Sequence, residues 1–121
     1  MSKEVSLTTP LKEEDIISLT TKDIVYLNGI IYTARDMAHI RIIEYLRKGK
    51  QLVEDFNGAA IFHAGPVVKK KGNKWEIIAI GPTSSIRMEP FSEIILGKLK
   101  VKAIIGKGGM GEDTLNALKK Y

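Results

Sequence analysis

The apolar runs of this chain are short, and nothing constrains it more. IVYL, IIYTA, AAIFH and VKAIIG are each the size of a strand, and each gives way to a glycine, a proline or a polar cluster. None approaches the roughly 18 apolar residues of a membrane-spanning helix. A chain built this way buries apolar surface by pairing short strands and covering them with helices. Its 121 residues suit one domain, and a chain of that length needs no disulfide or metal to hold its core.

The periodicity predicts the elements in order. EVSLTT (4–9) alternates and reads as a strand ended by Pro10, and 11–19 reads as a short helix with Glu13, Glu14 and Asp15 near its positive end. The runs on either side of Asn28-Gly29 read as a tight hairpin or, failing that, as one long strand with a bulge. From Arg35 the spacing becomes helical. Met37, Ile40 and Ile43 recur at three, and Ala38, Ile42 and Leu46 at four, giving a wide apolar stripe that ends near Arg47-Lys48-Gly49.

AAIFH (59–63) is a buried strand, and VVKKKGNKWEIIAIG is a hairpin with a lysine-rich tip in water. The stretch 84–96 can be helical only with a kink or interruption at Pro90. VKAIIG is a further buried strand, 106–111 a glycine-rich turn, and Glu112–Lys119 a closing helix. The class is α/β or mixed α+β.

Composition removes several functions. There is no cysteine, which excludes disulfides, thiol nucleophiles, cysteine-ligated zinc and any iron–sulfur cluster held by this chain alone. His39 and His63 cannot build a closed zinc site by themselves. The N-terminal stretch lacks the apolar core of a signal peptide, so a soluble, cytoplasmic protein is expected. The net charge is +5, with much of the excess in Lys69, Lys70, Lys71, Lys74, Lys119 and Lys120. With aromatics at 7%, these lysines read as a solvated hairpin and tail rather than a nucleic-acid surface.

Three segments follow strands and carry polar groups. In Thr33–His39, Arg35 stands at a strand-to-helix junction, where a guanidinium can grip a carboxylate and the helix start favours anions, and His39 lies four residues on. A surface pair between Arg35 and Asp36, with His39 packed on the sheet, is the plainer reading of that segment. In GPTSSIRM, Thr83, Ser84 and Ser85 follow Gly-Pro, with Arg87 close behind. One hydroxyl suffices for a helix cap, so three with an arginine point to an anion site. In GKGGMG, four glycines in six residues let backbone approach a ligand closely, with Lys107 as a point charge.

The glycine segment is not a Walker loop, and it comes too late in the chain for a dinucleotide fold despite matching G-x-G-x-x-G. If the three strands are neighbours, Arg35, Arg87 and Lys107 converge, and separated clamps of this kind suit a small di-acid.

NGIIYTARDMAHIRI, GPTSSIRM and GKGGM, in that order, resemble the β subunit of the two-subunit iron–sulfur hydro-lyases, the class I fumarate hydratases and L-tartrate dehydratases. The resemblance runs from about Glu4 to the end. It implies a swivelling β/β/α domain over residues 1–121 and a hetero-oligomer with an α subunit that carries a [4Fe–4S] cluster as Lewis acid. Members usually continue beyond the glycine-rich motif, so a shortened or truncated β part is expected.

The resemblance also assigns roles. Arg35 and Arg87 would hold the carboxylates of a C4 dicarboxylate, Lys107 would add a cation, and Thr83 would move the proton next to a carboxylate. His39, Ser84 and Gly108 would support them, with no metal ligand on this chain. Ser84-Ser85-Ile86 stands where relatives commonly have Thr and small residues, which bears on substrate preference. The alternative is a non-catalytic module that holds a small di-acid or an anionic partner.

Overall fold

In the computed structural model, which describes residues 3–52 and 54–121, the alternating EVSLT forms β1 (Glu4–Thr8) and the acidic EEDII forms α1 (Glu13–Ile17). The runs flanking Asn28-Gly29 form β2 (Ile24–Asn28) and β3 (Ile31–Thr33). They do not make a hairpin. β2 pairs in parallel with β1, in the register Glu4↔Ile24 to Thr8↔Asn28, while β3 joins a different sheet. Gly29, at φ +96°, carries the chain between the two. The end of β1 holds that bend, with Thr9 N–H donating to the Asn28 carbonyl at 2.9 Å and Thr9 Oγ1 to that of Ile30 at 2.8 Å. Asn-Gly suits a two-residue turn or a bulge in one long strand, but β1 supplies β2 with a competing partner and the two runs part into different sheets.

The helical spacing after Arg35 becomes α2 (Asp36–Arg47). Its buried face is narrower than the stripe predicts. Ala38 and Ile42 pack on the core and Ile43 is buried, whereas Met37 and Ile40 face outward. At 100° per residue, Ala38, His39, Ile42 and Ile43 span one face, and positions 37 and 40 fall on the opposite one.

β4 (Ala60–Phe62), β5 (Val67–Lys71) and β6 (Lys74–Ala79) follow, then a 3-10 helix (Ser85–Phe91), α3 (Ser92–Gly97), β7 (Ala103–Ile105) and α4 (Glu112–Lys120). Pro90 lies inside the 3-10 helix, and the regular α3 begins after it. A 3-10 turn accepts the missing N–H more readily than an α-helix interior does.

The central sheet is parallel, in the order β3-β4-β7. β4 lies in the middle with Ala60 and Ile61 fully buried, as an unbroken apolar run requires; β7 is an edge strand and only half-buried. Ile61 packs with Ala34, Ala59, Ile95 and Val101 in the core. β5 and β6 form an antiparallel hairpin with every residue exposed. The class is mixed α+β.

Glu89, just before Pro90, caps α4. It accepts hydrogen bonds from the N–H of Gly111, from the N–H of Thr114 at 2.8 Å and from Thr114 Oγ1 at 2.8 Å. Desolvation pushes its carboxyl up, but these donors outweigh it and hold the pKa below the usual range. Glu89→Ala is therefore expected to cost about 1–2 kcal/mol in urea denaturation at pH 7. Because the folded pKa is depressed, that contribution is present above the ordinary 4.5 and fades as pH falls through the lower folded value. An unchanged midpoint at pH 7 contradicts the cap.

Candidate functional site

Parallel pairing puts the carboxyl ends of β3, β4 and β7 on one edge of the sheet, the edge where open α/β sheets bind ligands. β3 runs into Arg35, β4 into His63 and Ala64, and β7 into Gly106 and Lys107.

The Thr83–Arg87 segment laces these ends together. Thr83 N–H donates to the His63 carbonyl at 2.7 Å, and Pro82 bridges Ala64. One residue later, Ser84 bridges Lys107, and Ser85 N–H donates to the Lys107 carbonyl at 3.1 Å. Arg87 then pairs with Asp36 at the start of α2. The Arg35–Asp36 pair of the plainer reading is thereby corrected: Asp36 pairs with Arg87, 51 residues away in sequence, and not with its neighbour Arg35.

Arg35, Ser84, Arg87, Lys107 and Gly108 are exposed, and Thr83 is half-buried. The Arg35 side chain lies across Gly65, where a β-carbon would sit 2.7 Å from its Cδ. Around it is a cleft of about 410 Å³ lined by Thr33, Arg35, Asp36, Met37, Gly65 and Pro66. A second hollow of about 300 Å³ includes Ser85, Gly106, Gly108 and Met110. Another cavity, of about 320 Å³ beside Tyr32, Tyr45 and Phe56, contains none of the candidate residues.

His39 lies beneath this edge, 1% exposed, and stacks on Phe91 with ring centroids 5.4 Å apart. Its Nδ1 lies 2.8 Å from the Arg35 carbonyl, which can only accept, so Nδ1 carries the proton. Reading the sequence did not single out His63, the polar residue closing AAIFH. It is equally buried, 5.6 Å from His39 between ring centroids, and its Nδ1 lies 3.0 Å from Ser85 Oγ. The available signal was its place at the end of an apolar strand.

Burial and the neighbouring His39 push His63 down to about 4, and burial lowers His39 despite its bond to Arg35 and the nearby Asp36. Unfolded, His63 takes up its proton near 6.5; folded, it does so only near 4. Stability is therefore full above pH 6.5 and declines toward pH 4. Between pH 7 and 5 the loss from His63 alone is expected to be about 2 kcal/mol, read from urea midpoints, and His63→Asn should remove most of it. A flat profile across that window contradicts the neutral pair.

The family model described as fumarase C-terminus matches residues 1–121. The chain is 46% identical over 115 residues to the L(+)-tartrate dehydratase subunit beta of Escherichia coli K12, covering 95% of this chain and 56% of that one. It is equally similar to the protein of the same name from Shigella sonnei. A Geobacillus stearothermophilus protein, provisionally named fumarate hydratase class I, is 44% identical over 118 residues, covering 97% of this chain and 22% of that one. The chain thus spans about half the length of the tartrate dehydratase subunits it matches.

Proposed function

Given that this chain belongs to the fumarase C-terminus family, we propose that residues 1–121 form the β-type domain of a hydro-lyase. It acts in the cytoplasm on a C4 dicarboxylate, fumarate or tartrate, and completes its site with an iron–sulfur α subunit. The observation that carries this reading is the carboxyl edge of the parallel sheet, where hydrogen bonds tie Thr83 to the end of β4 and Ser85 to Lys107. The names of the relatives, a tartrate dehydratase subunit and a fumarate hydratase, supply the chemistry.

In this reading Arg35 and Arg87 hold the two carboxylates, each through paired N–H donors. Asp36 keeps the Arg87 guanidinium oriented until substrate arrives. Thr83 takes or gives the proton on the carbon next to a carboxylate. A threonine hydroxyl is a weak base, so its alkoxide needs cations, which Arg87 and Lys107 provide.

This chain has no cysteine, and among the described residues no three His, Asp or Glu gather as a metal site. The [4Fe–4S] cluster therefore does not fit here and is assigned to the partner. The exposed hairpin adds a reason to expect a partner. Val68, Trp75 and Ile77 share one of its faces, and it leaves the sheet edge between His63 and Thr83, where Ala64 and Pro82 bridge its base.

The test is anaerobic co-expression with an iron–sulfur α chain, followed by hydration of fumarate and dehydration of tartrate. Activity is expected only in the mixture, and the faster substrate names the specificity. Trp75, the chain's single tryptophan, reports assembly by its emission. Binding of fumarate, malate or tartrate tighter than millimolar by the isolated chain, with no activity in the mixture, overturns the reading in favour of a binding module.

A further inference from the structure

Ser85 is 3% exposed, and its hydroxyl has two neighbours that restrict its single proton. The Lys107 N–H donates to Oγ at 3.1 Å and takes one lone pair. His63 Nδ1 is 3.0 Å away. If Nδ1 were protonated, Oγ would accept from both neighbours and its own proton would have no partner between them. If Nδ1 is bare, the hydroxyl donates to it and all three groups are satisfied. The geometry thus favours a neutral His63 protonated on Nε2, the reverse of its neighbour His39.

The same residues reach every strand end of the site. The His63 carbonyl receives the N–H of Thr83, His63 Nδ1 sets Ser85, and Ser85 holds Lys107 through both its N–H and its carbonyl. His39, edge-on to His63, holds the carbonyl of Arg35. Gly106 leaves the room for this: a β-carbon there would overlap Ser85 Oγ and lie 3.1 Å from His63 Nδ1.

We propose that His63 and Ser85 are positioning residues. A neutral His63 imidazole, acting through the Ser85 hydroxyl, sets the Gly106-Lys107 backbone at a fixed place relative to Thr83. This rests on the hydro-lyase reading, in which Lys107 stabilises the Thr83 alkoxide. Errors in that placement weaken the transition state more than substrate binding.

Two measurements test it. Long-range ¹H–¹⁵N spectra of the isolated, ¹⁵N-histidine-labelled chain should show His63 neutral at pH 7 with its proton on Nε2; a proton on Nδ1 overturns the proposal. In the assembled enzyme, His63→Leu should lower kcat about tenfold or more with a smaller change in KM. His63→Asn, whose side-chain oxygen can replace Nδ1 as acceptor, should recover most of that loss. Equal kcat for the Leu and Asn variants, with both folded by circular dichroism, reduces His63 to packing and overturns the proposal. An unsubstituted assembly without activity counts against the hydro-lyase reading alone, and the tautomer still decides the network.

Discussion

Arg87→Ala in the assembled enzyme should lower kcat/KM for the dicarboxylate about 100-fold or more while leaving the fold in place. A charge-assisted pair of hydrogen bonds to a carboxylate is worth roughly 2–4 kcal/mol once water is excluded, and each 1.4 kcal/mol is tenfold. The fold does not depend on this side chain. It is half exposed, and its described ionic partner is Asp36, itself about one-third exposed. Pairs so placed contribute roughly 0–1 kcal/mol to stability. Steady-state kinetics and urea denaturation on the same preparation separate the two effects. Arg87→Lys should recover only part of the activity, because an ammonium keeps the charge and loses the fork. Near-normal kcat/KM in Arg87→Ala would remove Arg87 from the site.

The second large effect is on stability. Gly106→Ala drives a methyl group into Ser85 Oγ, which is buried and held by His63 and Lys107, so neither side can yield cheaply. A loss of about 2–3 kcal/mol is expected. Ser85→Ala alone should cost about 1–2 kcal/mol, since the Lys107 N–H and His63 Nδ1 both lose a partner. In the double variant the overlap with Oγ is gone. Its loss should fall below the sum of the two by about 1–2 kcal/mol, measured by urea midpoints in a double-mutant cycle. Additive losses would mean that the backbone had moved instead, and that residues 85 and 106 do not share the space described.

Much of the candidate site was legible because its signals are local. Arg35 at a strand-to-helix junction, three hydroxyls after Gly-Pro and a lysine among glycines each show within a few residues what a strand end can offer. That the three segments meet at one edge of the sheet depended on strand order, which parallel pairing of β3, β4 and β7 supplied. The partners were not legible. Asp36 reads as a companion of Arg35 because the two are adjacent, yet it pairs with Arg87 because the 3-10 helix packs across the start of α2. His63 reads as the last residue of a strand; that it is buried against His39 and Ser85 follows from three elements meeting there.

By itself, then, the sequence determined which segments would be strands and helices, where Pro90 would interrupt, and which strand ends would carry charge. Those properties arise from periodicity, caps and turn chemistry within a few residues. Only the tertiary structure decided which strands are neighbours. Asn28-Gly29 suits a hairpin as well as it suits a bend, and its outcome turned on β1, about 20 residues upstream, offering β2 a parallel partner. The tertiary structure likewise buried His63 against His39 and Ser85, where desolvation lowers its pKa, because desolvation and hydrogen bonding depend on what surrounds a side chain in space and not on what precedes it in the chain.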